Sequence, residues 1–247
     1  MLIGALEKLT LLDYPGEIAA IVFTQGCNFR CHFCYNPMFV LPASQDELYK
    51  KSHPQKINED DLFSFLKSRQ GKLDGVVITG GEPTLHTDLP EFIRKIKNLG
   101  YKVKLDTNGT NPERLELMVN GQWLMVNENK ALIDYVAMDL KAPLEKYEQV
   151  VGVKVDLDKI RESIKIIMNS GLPYEFRTTV VPTLLDKNDI EKMGQIISGA
   201  DKWYLQKFKS NVNLVDERFR NQAAYNNKEM GEMVEIGKEY VQFCDFR

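Results

Sequence analysis

Strand and helix signals alternate along most of this 247-residue chain, and that alternation limits the fold more than any other feature. Short runs at 18–23, 75–79, 102–106, 135–140, 175–181 and 203–206 read as strands, the first of them apolar and β-branched at three positions. Helices fill the gaps. Asn58 is placed as an N-cap, with Asp61 as a weak capping-box partner and Leu62, Phe65 and Leu66 turned inward up to about residue 69. Leu89, Phe92, Ile93, Ile96 and Leu99 share one helical face that Gly100 ends, and another helix starts at about Pro112. Asp156 opens a helix with the stripe Leu157, Ile160, Ile164, Ile167 and Met168, closed by Gly171. Asp186 or Asn188 begins the next, which ends at Gly199, and a last helix spans about 227–241.

Alternation of this kind predicts a parallel sheet with right-handed crossovers. Six units predict an α/β fold, an open (β/α)6 partial TIM barrel, as a single domain over 1–247 with its core at about 18–208. Functional groups are then expected at the C-terminal ends of the strands. The opening 2–12 reads as a short strand and turn, and Asp13-Tyr14-Pro15-Gly16 as a turn. Pro37, Pro42 and Pro54 oppose a continuous helix in the polar stretch 42–56, which reads as a surface loop, with a mobile flap as the alternative.

Three of the four cysteines, Cys27, Cys31 and Cys34, fall in Gly26-Cys27-Asn28-Phe29-Arg30-Cys31-His32-Phe33-Cys34, just after the first of these strands. Thiolates on such a loop can converge on one point, and three of them suit a cubane iron–sulfur cluster. The missing local fourth ligand leaves one metal position open for a substrate, as in catalytic metal sites. A structural zinc site completed by His32 or His53 is the alternative, although zinc sites usually pair C-x2-C units. Four cysteines are too few for a stapled secreted domain, and Cys244 stands apart as a structural or incidental thiol.

Cys27, Cys31 and Cys34, with Phe33 before the last, resemble the signature of the radical S-adenosylmethionine (radical SAM) enzymes. Gly80-Gly81-Glu82 after the second strand resembles that family's GGE motif. The resemblance implies that the carbonyls and Glu82 meet the cofactor's amino group, and it places Thr107 or Asn108 beside the cofactor with Asp106 nearby. Without it, Asn108-Gly109 is simply a turn.

Asp139 and Lys141 share one strand face by the period of two, and a surface ion pair would account for them. They also resemble the D-x-K of glycyl radical enzyme activases, where the acid and the lysine meet the cofactor's polar end. Arg177, inside an apolar strand, is expected to turn toward a carboxylate at the barrel mouth. Gln206 ends the sixth strand where some activases have histidine; the departure weakens that match, though glutamine can still bond a ribose hydroxyl.

The resemblance spans about residues 4–208 and is nearest to the activating protein of anaerobic ribonucleoside-triphosphate reductase. The stretches Leu9-Thr10-Leu11-Leu12-Asp13-Tyr14-Pro15-Gly16 and Gln25-Gly26-Cys27-Asn28-Phe29-Arg30-Cys31 carry that nearer match. No second cysteine cluster lies between Cys34 and Ile57, which argues against activases with an added ferredoxin-like domain. The resemblance implies a [4Fe-4S] cluster on the three cysteines and S-adenosyl-L-methionine as cofactors. It implies reductive cleavage to a 5′-deoxyadenosyl radical, hydrogen abstraction from a glycine of a partner glycyl radical enzyme, and a flavodoxin- or ferredoxin-like electron donor. Two other classes stay open: a radical enzyme acting on a small molecule or peptide, and a non-catalytic electron-transfer protein.

A formal charge of −3 gives no basic footprint for nucleic acid, and no run approaches eighteen consecutive apolar residues, so no membrane span is expected. Reduced thiols and the lack of an export signal make a cytoplasmic location the expectation. Changing Cys27, Cys31 or Cys34 to Ala is expected to abolish iron binding and visible absorbance after anaerobic reconstitution, whereas Cys244→Ala keeps both. Equal loss at Cys244 would mean a fully protein-ligated cluster.

Overall fold

The computed structural model describes residues 1–40, 57–120 and 131–247. Its strands form an eight-stranded sheet ordered β1 to β8, as they come in the chain. β1 (Ile3–Thr10) runs antiparallel to β2 (Ala19–Thr24), which is parallel to β3 (Gly75–Gly80), itself parallel to β4 (Lys102–Thr107). β5 (Tyr135–Asp139) follows. β6 (Tyr174–Val180), β7 (Lys202–Lys207) and β8 (Phe243–Phe246) then pair in parallel. The fold is α/β with an open, mostly parallel sheet. The six expected strands are β2 to β7, with β1 and β8 at the two edges. The 42–56 loop and His53 lie outside the described residues.

The chain divides into two compact units. The first comprises Met1–Asn28, Met38–Thr107 and Glu113–Val136. Its strand β2 is covered on both faces, which suits its unbroken apolar run. Helix α1 (Glu59–Ser68) starts where the Asn58 side chain accepts the Asp60 amide at 3.2 Å. Its buried stripe is narrower than expected: Leu62 and Leu66 are fully buried, but Phe65 is only half-buried. Helix α2 (Leu89–Asn98) buries Leu89, Phe92, Ile93 and Ile96, while Leu99 sits half-buried at the C-cap. Gly100 then takes φ +89°, which ends the helix without strain. Helix α3 is Pro112–Asn120.

Asp134 pins this unit together. Its carboxylate accepts Lys97 Nζ at 2.6 Å and the Val103 amide at 2.7 Å, and its own amide donates to Val103 O at 2.8 Å. The entry to β5 is thereby tied to β4 and α2. Within β4, Lys104 and Asp106 lie on one face and form a buried ion pair that the strand pattern did not reveal.

The second unit comprises Phe29–Pro37, Asn108–Pro112 and Ala137–Arg247. Its helices are α4 (Tyr147–Val151), α5 (Leu157–Met168), α6 (Lys187–Ile196) and α7 (Asn227–Lys238). Asp156 caps α5 by accepting the Asp158 amide. A reciprocal capping box between Asp186 and Asp189 resolves the start of α6 in favour of Asp186, and Asn226 and Glu229 form the same device on α7. Trp203 is fully buried. Its indole N–H donates to Thr178 Oγ1 at 2.9 Å, and Thr178 donates to Leu140 O at 2.9 Å.

Among the elements not foreseen are α4 and β8. α4 has five residues, too few to show a helical period. β8 has four, including the buried Cys244, which lies in register with Trp203. A methyl on Gly237 would come within 2.5 Å of Cys244 Sγ, so α7 and β8 pack directly. Burial there pushes the Cys244 thiol up to about 12.

Candidate active site

At the end of β3 the backbone turns sharply through Gly80-Gly81-Glu82. Gly80 has φ +111°, and a Cβ there would lie 2.4 Å from Thr24 N. A Cβ on Gly81 would fall 1.9 Å from Gly26 O. Gly81 N–H donates to Thr24 O at 2.9 Å and Glu82 N–H to Gly26 O at 2.8 Å. These glycines therefore admit the chain's own backbone, at the residues that lead into Cys27. Only glycine fits at both positions for this reason, whatever their carbonyls face.

Glu82 is 1% exposed. Its Oε1 accepts the Thr84 amide at 3.0 Å, Thr84 Oγ1 at 2.5 Å and Thr107 Oγ1 at 2.8 Å. Three donors on one oxygen fix the plane of the carboxylate and offset its burial. Gly80, Gly81, Glu82 and Thr107 are thus brought together in the first unit. Thr84 was missed, although a hydroxyl two residues after a capping acid is a local signal for this turn.

In the second unit Asn108 forms the turn that its sequence suggests, its side chain accepting Thr110 N at 3.1 Å and Thr110 Oγ1 at 2.7 Å. Gly109 has φ +76° and lies where a Cβ would strike Met138 Cε at 2.2 Å. Ser163 Oγ donates to Gly109 O at 2.8 Å and seats the turn on α5.

The end of β5 and the middle of β6 bring three charges together. Lys141 Nζ donates to Asp139 Oδ2 at 3.0 Å, and Arg177 Nε donates to Asp139 Oδ1 at 3.0 Å. Side-chain exposures of 17%, 26% and 12% for Lys141, Asp139 and Arg177 make this a largely buried centre rather than a surface pair. Burial alone would raise the Asp139 pKa, but Arg177 and Lys141 outweigh it and hold the carboxyl at about 2. Burial alone would lower the Lys141 pKa, yet Asp139 and the sulfurs of Cys31 and Cys34 hold it well above its ordinary value. Lys141 N–H also faces Tyr147 Oη at 3.5 Å.

The cysteine loop itself is well anchored. Phe29 and Phe33 are both 3% exposed, and Phe29 meets Tyr147 edge-on at 6.3 Å between centroids. Arg30 N–H donates to Val151 O at 2.8 Å. Cys34 N–H donates to Cys31 O at 3.1 Å, and Cys34 Sγ accepts the Asn36 amide at 3.4 Å. Burial raises the Cys34 pKa, with the Asn36 amide and Lys141 acting against it. Gln206 accepts a long hydrogen bond from Thr179 Oγ1 at 3.4 Å. Among the described residues no three His, Cys, Asp or Glu side chains are gathered as a metal-holding group. The ligand assignment therefore rests on the cysteine pattern.

Residues 21–198 match the radical SAM superfamily. The chain belongs to that superfamily. Members use a [4Fe-4S] cluster and S-adenosylmethionine. A Methanocaldococcus jannaschii protein provisionally named a glycyl-radical enzyme activating enzyme is 32% identical over 245 residues, covering 97% of this chain and 93% of that one. The pyruvate formate-lyase-activating enzyme of Clostridium pasteurianum is 29% identical over 198 residues, covering 79% of this chain and 75% of that one. Among solved structures, Streptococcus suis SuiB bound to S-adenosylmethionine is similar at a TM-score of 0.61 and 15% identity, a likeness of fold. It covers 90% of this chain, which spans 47% of SuiB. No helix among the described residues is long and apolar enough to cross a membrane.

The Asp139 centre makes a pH prediction for the cluster-free chain. Its folded-state pKa of about 2 lies below the ordinary 3.8, so between those values the unfolded chain binds more protons. The stabilisation, on the order of 2 kcal/mol, is fully present above pH ~4 and lost as pH falls through ~2. Urea unfolding of wild type and Asp139→Asn should differ most at neutral pH and converge toward pH ~2. A difference that does not shrink with acid would show that charge is not its origin.

Proposed function

We propose that this protein is a radical SAM activating enzyme that abstracts a hydrogen atom from a glycine of a partner glycyl radical enzyme, namely anaerobic ribonucleoside-triphosphate reductase. The observation that carries the activase reading is 32% identity across 97% of the chain to the provisionally named activating enzyme. The choice of reductase as partner rests on the opening 9–16 and cysteine-loop stretches.

On this reading Cys27, Cys31 and Cys34 hold the cluster and leave one iron for S-adenosylmethionine. When bound, the cluster supplies the electron for reductive cleavage, which is the chemistry that removal of a glycine hydrogen needs. The chain's own residues bind and orient. The carbonyls of Gly80 and Gly81 and the fixed carboxylate of Glu82 accept the methionine ammonium. Lys141, held by Asp139, offers its ammonium to the methionine carboxylate, while Arg177 holds Asp139 at its other oxygen. Phe33, Thr107, Asn108 and Gln206 complete the cofactor's surroundings. No side chain need act as general acid or base. A flavodoxin- or ferredoxin-like protein delivers the electron. Glycine is the expected target because a backbone without a side chain can approach closely.

The test is anaerobic reconstitution with S-adenosylmethionine and a reductant, with and without purified reductase, followed by electron paramagnetic resonance. A glycyl doublet that needs the reductase is the expected result. Lys141→Ala should assemble the cluster yet bind S-adenosylmethionine roughly tenfold or more weakly by titration, the loss of a hydrogen bond to a charged group. Cofactor cleavage with a doublet only on pyruvate formate-lyase would reassign the partner. Turnover of a small molecule without any partner would overturn the activase reading.

A further inference from the structure

The cysteine loop has a second set of holdings that the cofactor assignment does not use. They come from the irregular segment 208–220, between β7 and α7. Tyr35, next to Cys34, accepts the Lys209 amide at its Oη at 2.8 Å, and its ring stacks on Phe208 at 6.3 Å and 17°. His32, next to Cys31, accepts the Asp216 amide at its carbonyl at 3.0 Å. The His32 Nδ1 lies 3.3 Å from Asp216 Oδ2. Its ring lies parallel to Phe219, 5.6 Å between centroids and 2° between planes.

The segment builds its own gripping shape. Asp216 caps the short turn Glu217–Phe219 by accepting the Arg218 amide at 3.0 Å, and it also takes the Arg218 guanidinium, with Nη2 at 2.6 Å. That turn sets the Phe219 ring at a fixed offset from the Asp216 carboxylate, and His32 lies against both. Leu214 is buried and roots the segment, whereas Phe219 is only half-buried. Two residues that it grips are the neighbours of Cys31 and Cys34, and each is held by both a hydrogen bond from the segment's backbone and a ring stack. A segment needed only to cover the fold would have no reason to converge on those two positions.

We propose that segment 208–220 is a clamp that sets the positions of Cys31 and Cys34, with His32 and Tyr35 as its grips and Asp216 and Phe219 as positioning residues. The inference rests on Cys31 and Cys34 being cluster ligands, and is otherwise independent of the partner. A short loop that carries two of three ligands loses its metal when the loop opens, and outer contacts of this kind orient ligands in other metal sites.

The experiment uses the anaerobically reconstituted full chain and measures the rate of iron loss to the chelator bathophenanthroline, with thermal unfolding followed in parallel. Phe219→Ala should lose iron roughly two- to tenfold faster, the size expected for one ring pair, with Tm little changed because Phe219 is half-buried. Phe219→Tyr should restore the wild-type rate. His32→Ala should also be faster, and adding Phe219→Ala to it should change nothing more, since the two act through one contact. Unchanged rates in the single variants, or additive effects in the double variant, would overturn the clamp while leaving the ligand assignment intact. A wild-type chain that takes up no cluster would overturn the ligand assignment, and the clamp with it.

Discussion

The turn at the end of β3 depends on a contact in which two backbones meet with no side chain between them. Gly80 and Gly81 lie against Thr24 and Gly26, joined by the Gly81-to-Thr24 and Glu82-to-Gly26 hydrogen bonds. Gly26 in turn donates to Phe39 O at 2.7 Å, so the chain entering the cysteine loop is bonded on both sides. The same contact orients Glu82 inward, where Thr84 and Thr107 satisfy its carboxylate. Fold and chemistry are coupled here because one short turn serves as strand exit, support for the loop that begins at Cys27, and carrier of a buried acid.

The charged centre of the second unit follows from a different constraint. A buried arginine or lysine needs an anion. Asp139 serves Lys141 and Arg177 with one oxygen each, which keeps both cations fixed. Strand spacing supplies the geometry. Asp139 ends β5 and Lys141 stands two residues on, while Arg177 is a mid-strand residue of β6. The Leu140 amide donates to Arg177 O at 2.9 Å, so the backbone beside the charges is itself pinned.

Much of this was legible because it depends on local patterning. The strands β2 to β7, the caps at Asn58, Asp156 and Asp186, and the helix stops at Gly100 and Gly171 all follow from nearest-neighbour chemistry. What escaped depends on tertiary contact. α4 and β8 are too short to carry a period, and each is held by packing: Phe29 on Tyr147 in one case, Cys244 against Gly237 in the other. The Lys104–Asp106 pair looked like ordinary strand alternation, since nothing local marks a lysine as 1% exposed. Thr84 looked like part of a turn. Segment 208–220 has no regular structure for a pattern to announce, although its Asp216 and Phe219 meet the cysteine loop from some 180 residues away.

The glycine pair is constrained by the chain's own backbone. On the side where a Cβ would stand, the space at both positions is filled by Thr24 and Gly26. Inserting a methyl 1.9 Å from a backbone oxygen must displace the turn whatever binds nearby. Loss of cofactor in a Gly81 variant would therefore report on the fold of the turn before it reported on any contact with the methionine moiety. Lys141 is the cleaner probe. Asp139 keeps its Arg177 partner when Lys141 is removed, so the unit keeps a paired centre. Residues whose loss leaves their neighbours satisfied can separate binding from folding, and at the strand ends of this protein Lys141 meets that condition where Gly80 and Gly81 do not.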